Sequence, residues 1–249
     1  MEYNRFHNCS LFEDALAQPH LLIAGATGSG KSVIVNWLIY QAIQRNCRAT
    51  KLILIDPKRV ELSVYRDLPH TIRYASEPLE MVEALRYAME LCEDRYTEMQ
   101  RQGVRKYQGG DVWVVIDEFA DLMTTNGKIV KPLIQRLAQI GRAAKVHIIL
   151  ATQTPIAKVI PTEIKCNFDS RFGLRARSAQ DSVNILGHTG LERLPKYGQA
   201  VYMTPDGENL YNIPFLDDAE IQREITYIMV NTPRAQRRKR GFLATLFNW

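Results

Sequence analysis

The segment GATGSGKS, residues 25 to 32, has the spacing G-x-x-x-x-G-K-[ST]. Glycine-rich turns let backbone N–H groups close around phosphate oxygens, and the N-terminus of a following helix adds positive potential. In this pattern Lys31 is expected to reach the β- and γ-phosphates of ATP, and Ser32 to ligate Mg²⁺. The predicted ATP-binding residues are Gly25, Ala26, Thr27, Gly28, Ser29, Gly30, Lys31, Ser32 and Val33.

A second motif, VWVVIDE at residues 112 to 118, ends in two acidic residues. In proteins with a phosphate-binding loop, an acidic residue at the end of a hydrophobic strand helps to bind magnesium. A neighbouring acidic residue can accept a proton from the attacking water. Asp117 is therefore predicted to help hold Mg²⁺, and Glu118 to be the catalytic base. The adjacent glutamate favours hydrolysis over simple switching.

Two polar residues flank the apolar segment VHIILAT in RLAQIGRAAKVHIILATQTP, residues 136 to 155. Ligands of such sheets lie at the carboxyl ends of strands, so Gln153 is expected beside Glu118 and the γ-phosphate as a sensor of nucleotide state. Arg142 precedes the strand and should lie at the far end of the sheet, away from its own ATP. An arginine so placed is suited to act on a neighbouring subunit.

The elements that must position these residues alternate between short apolar runs and longer amphipathic segments. The runs HLLIAG, KLILID, DVWVVIDE and VHIILATQ predict strands buried on both faces, which indicates an α/β fold with a mostly parallel central sheet flanked by helices. A long helix is predicted from about residue 78, with Leu79 among its apolar positions. QAVYM and LYNIPF around PDGEN predict a hairpin, and DDAEIQREITYIMV predicts a closing helix.

Length and composition limit the class of protein. With 249 residues and 46% hydrophobic composition, the chain is long enough for one large α/β domain or two small ones. No apolar run reaches the ~18 residues of a membrane span, and the first residues lack a signal peptide's apolar stretch, so a cytoplasmic location is expected. The spacing of Cys9, Cys47, Cys92 and Cys166 predicts neither a zinc site nor a disulfide framework.

The positive charge is concentrated near the C-terminus. RAQRRKR, residues 234 to 240, carries five cations and nothing acidic, which equals the formal net charge of +5 and leaves the rest of the chain neutral. Such a run is either a solvated tail or a phosphate-binding one. The apolar residues of the end GFLATLFNW leave docking on a membrane or a partner open as well.

Several motifs together resemble the motor domain of the FtsK/SpoIIIE DNA translocases. They are GATGSGKSVIVN, IDPKRVEL (55 to 62), IDEFADLM (116 to 123), RLAQIGRAAKVHIILATQTP and the DS and IL pairs within residues 181 to 186, and the likeness covers residues 18 to 216. The resemblance implies a RecA-like P-loop core, a homo-oligomeric and hexameric ring with ATP sites between subunits, and double-stranded DNA through the central pore. By the same match, Arg142 corresponds to the family's trans-acting arginine, Gln153 to its sensor glutamine, and Arg171 to an arginine that supports the subunit interface.

The chain departs from the family where DNA is contacted. Thr154 stands where a pore arginine is common, and Ala179 and Val183 replace basic residues around the DS pair. Strand alternation in SRFGLRARS, residues 170 to 178, puts Arg171, Gly173, Arg175 and Arg177 on one face. This basic face indicates either a half-exposed strand or replacement contacts to DNA phosphates. In the second case Arg175 and Arg177, with Thr154 in the pore, are the predicted DNA contacts.

These observations predict a lead-in at residues 1–19, a motor domain at 20–232 and a basic, aromatic tail at 233–249. The family's preceding subdomain and membrane spans have no counterpart in the sequence, which favours a conjugative or mobile-element motor. An ATP-driven translocase of double-stranded DNA is expected. The alternatives are a related ATPase that exports protein or nucleoprotein through a secretion channel, and a static ATP-gated docking module.

Overall fold

The computed structural model describes residues 10–156 and 159–232. Within these residues lie eight strands: β1 (His20–Ala24), β2 (Lys51–Ile55), β3 (Thr71–Ala75), β4 (Val112–Ile116), β5 (Val146–Thr152), β6 (Ser170–Gly173), β7 (Gln199–Thr204) and β8 (Gly207–Asn212). The helices of the same residues are α1 (Ser10–Ala17), α2 (Lys31–Arg45), α3 (Pro78–Gln102), α4 (Phe119–Ala144), α5 (Thr162–Lys165), α6 (Ala179–Leu186) and α7 (Asp218–Asn231).

All of the strands belong to one sheet with the order β3-β2-β4-β5-β1-β6-β7-β8. The pairs from β3 through β6 are parallel, and β7 and β8 extend the sheet as an antiparallel hairpin. The predicted α/β class with a mostly parallel sheet is therefore confirmed. Because β5 lies between β1 and β4, the residues that follow these three strands meet at one edge of the sheet.

Helices cover both faces of the sheet because its central strands alternate between two apolar cores. In β1, Leu21 and Ile23 face a core that contains residues of α1, α2 and α7, whereas Leu22 faces a core with residues of α3, α4 and α5. All three side chains are at most 1% exposed. Burial on both faces explains why these strands are continuous apolar runs in the sequence.

Helix α1 packs on the domain that follows it. The Phe12 ring stacks on the Trp37 ring of α2 with 5.4 Å between the ring centroids, and Phe12 is fully buried. Residues 10–17 of the expected lead-in thus contribute to the first core. Among the described residues, no helix combines the length and the apolar character that a membrane crossing needs.

Some local predictions were wrong. Strand β3, TIRYA, was not predicted, because an edge strand with partly exposed side chains lacks the apolar run of a central strand. The hairpin turn is tighter than PDGEN, since β8 already begins at Gly207. Leu79 does not face the core: it lies in the first turn of α3, where it is 68% exposed.

The basic strand proposed for residues 170 to 178 is also shorter than expected. β6 ends at Gly173, a buried residue at which an added Cβ would lie 2.7 Å from a Leu191 side-chain carbon, so Gly173 is not on a solvent face. The chain then turns to the phosphate-binding loop, where Ala26 N donates to Arg175 O at 2.8 Å. Alternate burial persists without a strand, because Leu174 and Ala176 remain buried while Arg175 and Arg177 are exposed.

Candidate nucleotide-binding and hydrolysis site

The loop between β1 and α2 has the backbone conformation that its glycines predict. Gly28 and Gly30 have φ values of +70° and +99°, a left-handed conformation that residues with a Cβ rarely adopt. Gly25 is required for a different reason, since a Cβ there would lie 2.8 Å from the Leu174 Cβ. The loop ends at Gly30, directly before the first turn of α2. The N-terminus of this helix favours binding of an anion.

Lys31, the first residue of α2, points back into this loop. Its Nζ donates to the carbonyl oxygens of Gly25 at 3.2 Å and Ala26 at 3.4 Å. Burial lowers the pKa of the Lys31 ammonium to about 8, although Glu118 and Asp117 favour its charged form. A polyphosphate bound in the loop would further favour the charged form of this desolvated ammonium.

Asp117 follows the last residue of β4 and is surrounded by other acids. Burial first, and the charges of Glu61, Asp56 and Glu118 after it, raise the pKa of its carboxyl to about 7 against the opposing charge of Lys31. A carboxylate that is costly to ionise alone is well suited to a cation. The half-buried Ser32 begins α2 beside Lys31, so Ser32 and Asp117 fit a magnesium ion that takes its remaining ligands from phosphate and water.

Glu118 is buried and accepts hydrogen bonds from several directions. Its Oε1 accepts from the Thr152 hydroxyl at 2.8 Å, from Gln153 N at 3.1 Å and, as the N-cap of α4, from Ala120 N at 3.4 Å. Its Oε2 lies 3.4 Å from Lys58 Nζ. These contacts hold the carboxylate beside Asp117 at the carboxyl edge of the sheet.

Gln153 lies between the two halves of the site because β5 lies between β1 and β4. Its side-chain Oε1 accepts from the Thr27 hydroxyl at 2.7 Å, and its backbone N–H donates to Glu118. The structure thus brings together the phosphate-binding loop, the acidic pair and Gln153. The role of Gln153 as a nucleotide sensor stays a prediction.

Arg142 and Arg171 lie elsewhere. Arg142 is exposed in the last turn of α4, so it precedes β5 and lies at the opposite end of that strand from Gln153. Arg171 donates within its own chain to the carbonyl oxygens of Phe168 at 2.7 Å, Ile185 at 3.0 Å and Lys165 at 3.3 Å. These bonds tie β6 to α5 and α6, and a contact of Arg171 with a neighbouring subunit stays a prediction.

The predicted DNA contacts lie beside the nucleotide site. Thr154 is two residues beyond β5, and Arg175 and Arg177 are exposed on the segment that is bonded to the phosphate-binding loop. Arg177 Nη2 donates to Gln153 O at 2.6 Å. The structure therefore connects a predicted DNA contact to the predicted sensor.

An apolar pocket next to the phosphate-binding loop was missed by sequence reasoning. It has a volume of about 310 Å³ and adjoins Ser29, Gly30 and Val33. Its other lining residues are Leu174, which follows β6, and residues at the ends of the β7–β8 hairpin, namely Tyr197, Gly198, Gln199, Ile213 and Phe215. Phe215 is 77% exposed and Tyr197 61% exposed, and the Lys196 ammonium lies 4.9 Å from the centroid of the Tyr197 ring. Exposed aromatic rings of this kind can stack on a planar group. No sequence pattern indicates this pocket, because its walls are far apart along the chain.

Lys58 was also missed as a site residue. It follows β2 in the segment IDPKRVEL and approaches Glu118 at 3.4 Å and Asp121 at 3.9 Å. The segment is one of the motifs that carry the family resemblance, but nothing in it assigns a role to the lysine side chain. Only the pairing of β2 with β4 brings it to the acidic pair.

The described residues contain no cluster of three or more His, Cys, Asp or Glu side chains arranged to hold a metal ion. Cys47, Cys92 and Cys166 are free thiols, and Cys9 lies outside the described residues.

A parallel sheet with a phosphate-binding loop after β1, an acidic pair after β4 and a polar residue after the intervening β5 defines a P-loop ATPase. The chain belongs to the FtsK/SpoIIIE family, whose sequence pattern matches residues 4–112 and 108–157. The predicted family and its P-loop fold are thereby confirmed.

Curated relatives and solved structures are similar to most of the chain. It is 35% identical over 267 residues to the DNA translocase FtsK of Rhizobium meliloti, which covers 88% of this chain and 30% of that protein. It is 36% identical over 266 residues to DNA translocase FtsK of Rickettsia typhi, covering 88% and 36%. The chain thus spans about a third of the length of these relatives.

The solved structures support the fold. The pCW3 conjugation coupling protein TcpA, with ATPγS, superposes with a TM-score of 0.74 at 24% identity, covering 84% of this chain and 64% of that one. The type VII secretion ATPase EccC of Thermomonospora curvata gives a TM-score of 0.74 at 20% identity, covering 86% and 28%.

Proposed function

We propose that this chain is the motor part of an ATP-driven translocase of double-stranded DNA that works as a hexameric ring in conjugation or mobile-element transfer. The observation that carries the proposal is the combination of a hydrolytic site at one end of β5 with the exposed Arg142 at the other. A ring of such subunits would place the arginine of one copy at the ATP of the next. The FtsK relatives, named as DNA translocases, favour DNA as the track.

The hydrolytic step divides between the residues of the site. The phosphate-binding loop and Lys31 bind the β- and γ-phosphates, and Ser32 and Asp117 would hold Mg²⁺, which neutralises charge on the transferring phosphoryl group. Glu118 accepts a proton from the water that attacks the γ-phosphorus, and the bond to the β–γ bridging oxygen breaks to leave ADP and phosphate. Gln153 senses the γ-phosphate through its contacts with Thr27 and Glu118.

The apolar pocket is the proposed site for the base of the nucleotide. When the phosphates bind in the loop, the ribose and base extend away from the N-terminus of α2. The pocket begins at this place, because Ser29 and Gly30 form part of its wall. The Gln199 amide at its wall already donates to Asn212 Oδ1 at 3.1 Å. The base would therefore be bound mainly by contact with Tyr197 and Phe215.

The deciding experiment measures the ATPase rate of the full chain with and without duplex DNA, at low salt and over a range of DNA lengths. We expect hydrolysis without DNA and faster hydrolysis with it, and ATP-dependent displacement of a third strand from a triplex as evidence of movement. ATPase activity that DNA leaves unchanged would contradict the DNA-motor proposal.

Protein or nucleoprotein export is the second candidate, favoured by the superposition on a type VII secretion ATPase. It predicts stimulation by a substrate peptide in place of DNA. The proposed cytoplasmic location is common to both candidates and does not separate them.

A further inference from the structure

A chain of hydrogen bonds runs from the surface at Arg177 to the buried carboxylate of Glu118. Arg177 Nη2 donates to Gln153 O at 2.6 Å, and the N–H of the same peptide group, that of Thr154, donates to Thr152 Oγ1 at 3.2 Å. The Thr152 hydroxyl then donates to Glu118 Oε1 at 2.8 Å. Every donor in this chain points toward the carboxylate.

The direction of these bonds matters because aligned hydrogen bonds polarise one another and strengthen each other in a low dielectric. Thr152 is fully buried and Glu118 is 2% exposed, so the inner end of the chain is shielded from water. The outer end is an exposed guanidinium. Three consecutive bonds therefore connect the surface cation to the buried acid.

Glu118 is poorly arranged for proton transfer in this structure. Its Oε1 accepts from Thr152, Gln153 and Ala120, and Oε2 faces Lys58 and Gln153 N. A general base needs a free lone pair directed at water near the γ-phosphate. The hydrogen-bonded carboxylate is thus held in a resting arrangement.

We propose that Arg177 is a positioning residue that maintains this resting arrangement and releases Glu118 when a phosphate of the DNA backbone binds its guanidinium. The proposal rests on the proposed function, which supplies both the hydrolysis and the track. A phosphate diester is a stronger partner than a neutral carbonyl, because the guanidinium pairs with it through two parallel charge-assisted bonds. Binding of DNA at Arg177 would withdraw its donor from Gln153 O and loosen each bond that follows.

The placement of the neighbouring residues supports a phosphate partner. Arg175 is exposed two residues away, and its carbonyl holds Ala26 of the phosphate-binding loop at 2.8 Å. The segment that carries both arginines therefore borders the track on one side and the nucleotide on the other. Such a placement couples contact with a polyanion to the catalytic glutamate.

The test compares Arg177→Ala with the wild-type chain in steady-state ATPase assays without DNA and at saturating DNA. We expect a basal kcat about fivefold higher, the factor that corresponds to the loss of one net hydrogen bond, with little change in KM, and a smaller stimulation by DNA. Arg177→Lys, which keeps the charge and a donor but loses the planar guanidinium, should give an intermediate rate. The matched control is Arg86→Ala, which removes the same charge from an exposed position on α3.

A double-mutant cycle with Thr152→Val tests the path. Valine keeps the shape of the side chain and removes the hydroxyl, so it interrupts the bond chain next to Glu118. If the path runs through Thr152, Arg177→Ala has no further effect on basal kcat in the Thr152→Val background. An equal effect in both backgrounds would overturn the path.

Hydrogen exchange provides a measurement that needs no ATPase activity. The Thr154 amide should exchange about fivefold faster in Arg177→Ala than in Arg86→Ala, because its partner oxygen is held less firmly. Unchanged exchange overturns the proposal. Adding a short duplex to the wild-type chain should produce the same acceleration.

The outcomes separate this proposal from the function on which it rests. An unchanged basal kcat with weaker DNA binding would reduce Arg177 to a phosphate contact, and a lower basal kcat would make it an activating residue; either result overturns the restraint. If DNA does not change the ATPase rate of the wild-type chain, the proposed function as a DNA translocase is contradicted. A raised basal rate in Arg177→Ala together with faster Thr154 exchange would still establish the restraint in that case.

Discussion

The two neighbouring acids of the site, Asp117 and Glu118, have different surroundings, and these surroundings suit them to different tasks. Asp117 lies near three other carboxylates, and its raised pKa reflects burial first and those charges second. Glu118 accepts from backbone and side-chain donors and pairs with Lys58. Asp117 is suited to binding a cation. Glu118 is suited to acting as a base whose position is set by the groups that donate hydrogen bonds to it.

The proposal assigns phosphate binding and water activation to different residues, so the two should be separable by substitution. We expect Lys31→Ala to lose ATP binding and turnover, and Glu118→Gln to keep binding while turnover falls roughly 10²- to 10⁴-fold, the usual contribution of a general base. Nucleotide affinity by calorimetry and the rate of phosphate release check both. The controls are the exposed Lys106→Ala and Glu83→Gln. Wild-type turnover in Glu118→Gln would show that another group accepts the proton.

The raised pKa of Asp117 predicts a pH-dependent cost to the ligand-free fold. The folded pKa, about 7, lies above the ordinary value of 3.8 for this carboxyl, so the folded state binds the proton more tightly and stability falls as pH rises between these values. Asp117→Asn removes the cost. Its advantage in free energy of unfolding should grow through that window to roughly 4 kcal/mol at most and stay constant above it.

Urea unfolding at several pH values with chelator present measures this difference, and the exposed Asp206→Asn is the control. Magnesium and nucleotide should reduce the advantage, because a bound cation favours the ionised carboxylate. A gap that does not change with pH would contradict the assignment.

At the scale of elements, strand β5 separates the predicted catalytic site from Arg142. Gln153 follows the strand and Arg142 precedes it. Sequence reasoning predicted this separation because parallel strands share one direction. It did not predict that the segment after β6 turns onto the phosphate-binding loop, since that turn depends on the pairing of β6 with β1.

Action of Arg142 on a neighbouring subunit predicts complementation. A Lys31→Ala subunit lacks a working site and keeps its arginine, whereas an Arg142→Ala subunit has the reverse defect. Mixtures should therefore regain part of the ATPase activity that each variant lacks alone. If mixtures that co-assemble in native mass spectrometry regain nothing, Arg142 acts within its own chain or only offsets the dipole of α4, which would change stability slightly.

The apolar pocket predicts that base binding and phosphate binding can be weakened separately. Phe215→Ala should lower ATP affinity about tenfold because the base no longer stacks on the ring, and it should leave the affinity for inorganic triphosphate unchanged. Fluorescence competition measures both, and Val230→Ala is the control because Val230 is also highly exposed, at 71%. An equal reduction for ATP and triphosphate would place Phe215 in the support of the phosphate-binding loop.

At the scale of the whole molecule, the charge lies outside the ATPase site. The five cations of residues 234 to 240 equal the net charge of the chain, and this tail lies outside the described residues. The described domain carries the predicted hydrolytic residues, and the tail carries the excess positive charge. Loss of the tail should therefore affect binding to anions and leave the ATP site intact.

Truncation of residues 233–249 should preserve basal ATPase activity and weaken DNA binding. The salt dependence of binding should become less steep by about 0.9 units for each DNA phosphate that the tail no longer neutralises.

Replacement of the five basic residues by glutamine in the full-length chain is the control, since it separates the effect of charge from that of the apolar end. Loss of binding to anionic liposomes with unchanged DNA affinity would assign the tail to a membrane. A failure of assembly and hydrolysis together would assign it to a neighbouring subunit.

The sequence by itself determined the residues whose function depends on local order. Four features are predictable because each depends on a few neighbouring residues and on strand polarity: the glycine-rich loop, Lys31, the acidic pair and the direction of the strand before Gln153.

Tertiary structure decided which distant segments meet. The placement of β5 between β1 and β4, the approach of Lys58 to Glu118, the pocket beneath Tyr197 and Phe215, and the bond from Arg177 to Gln153 all follow from strand order and loop packing. These are set by the free energy of burying the whole sheet between its helices, which no local pattern encodes.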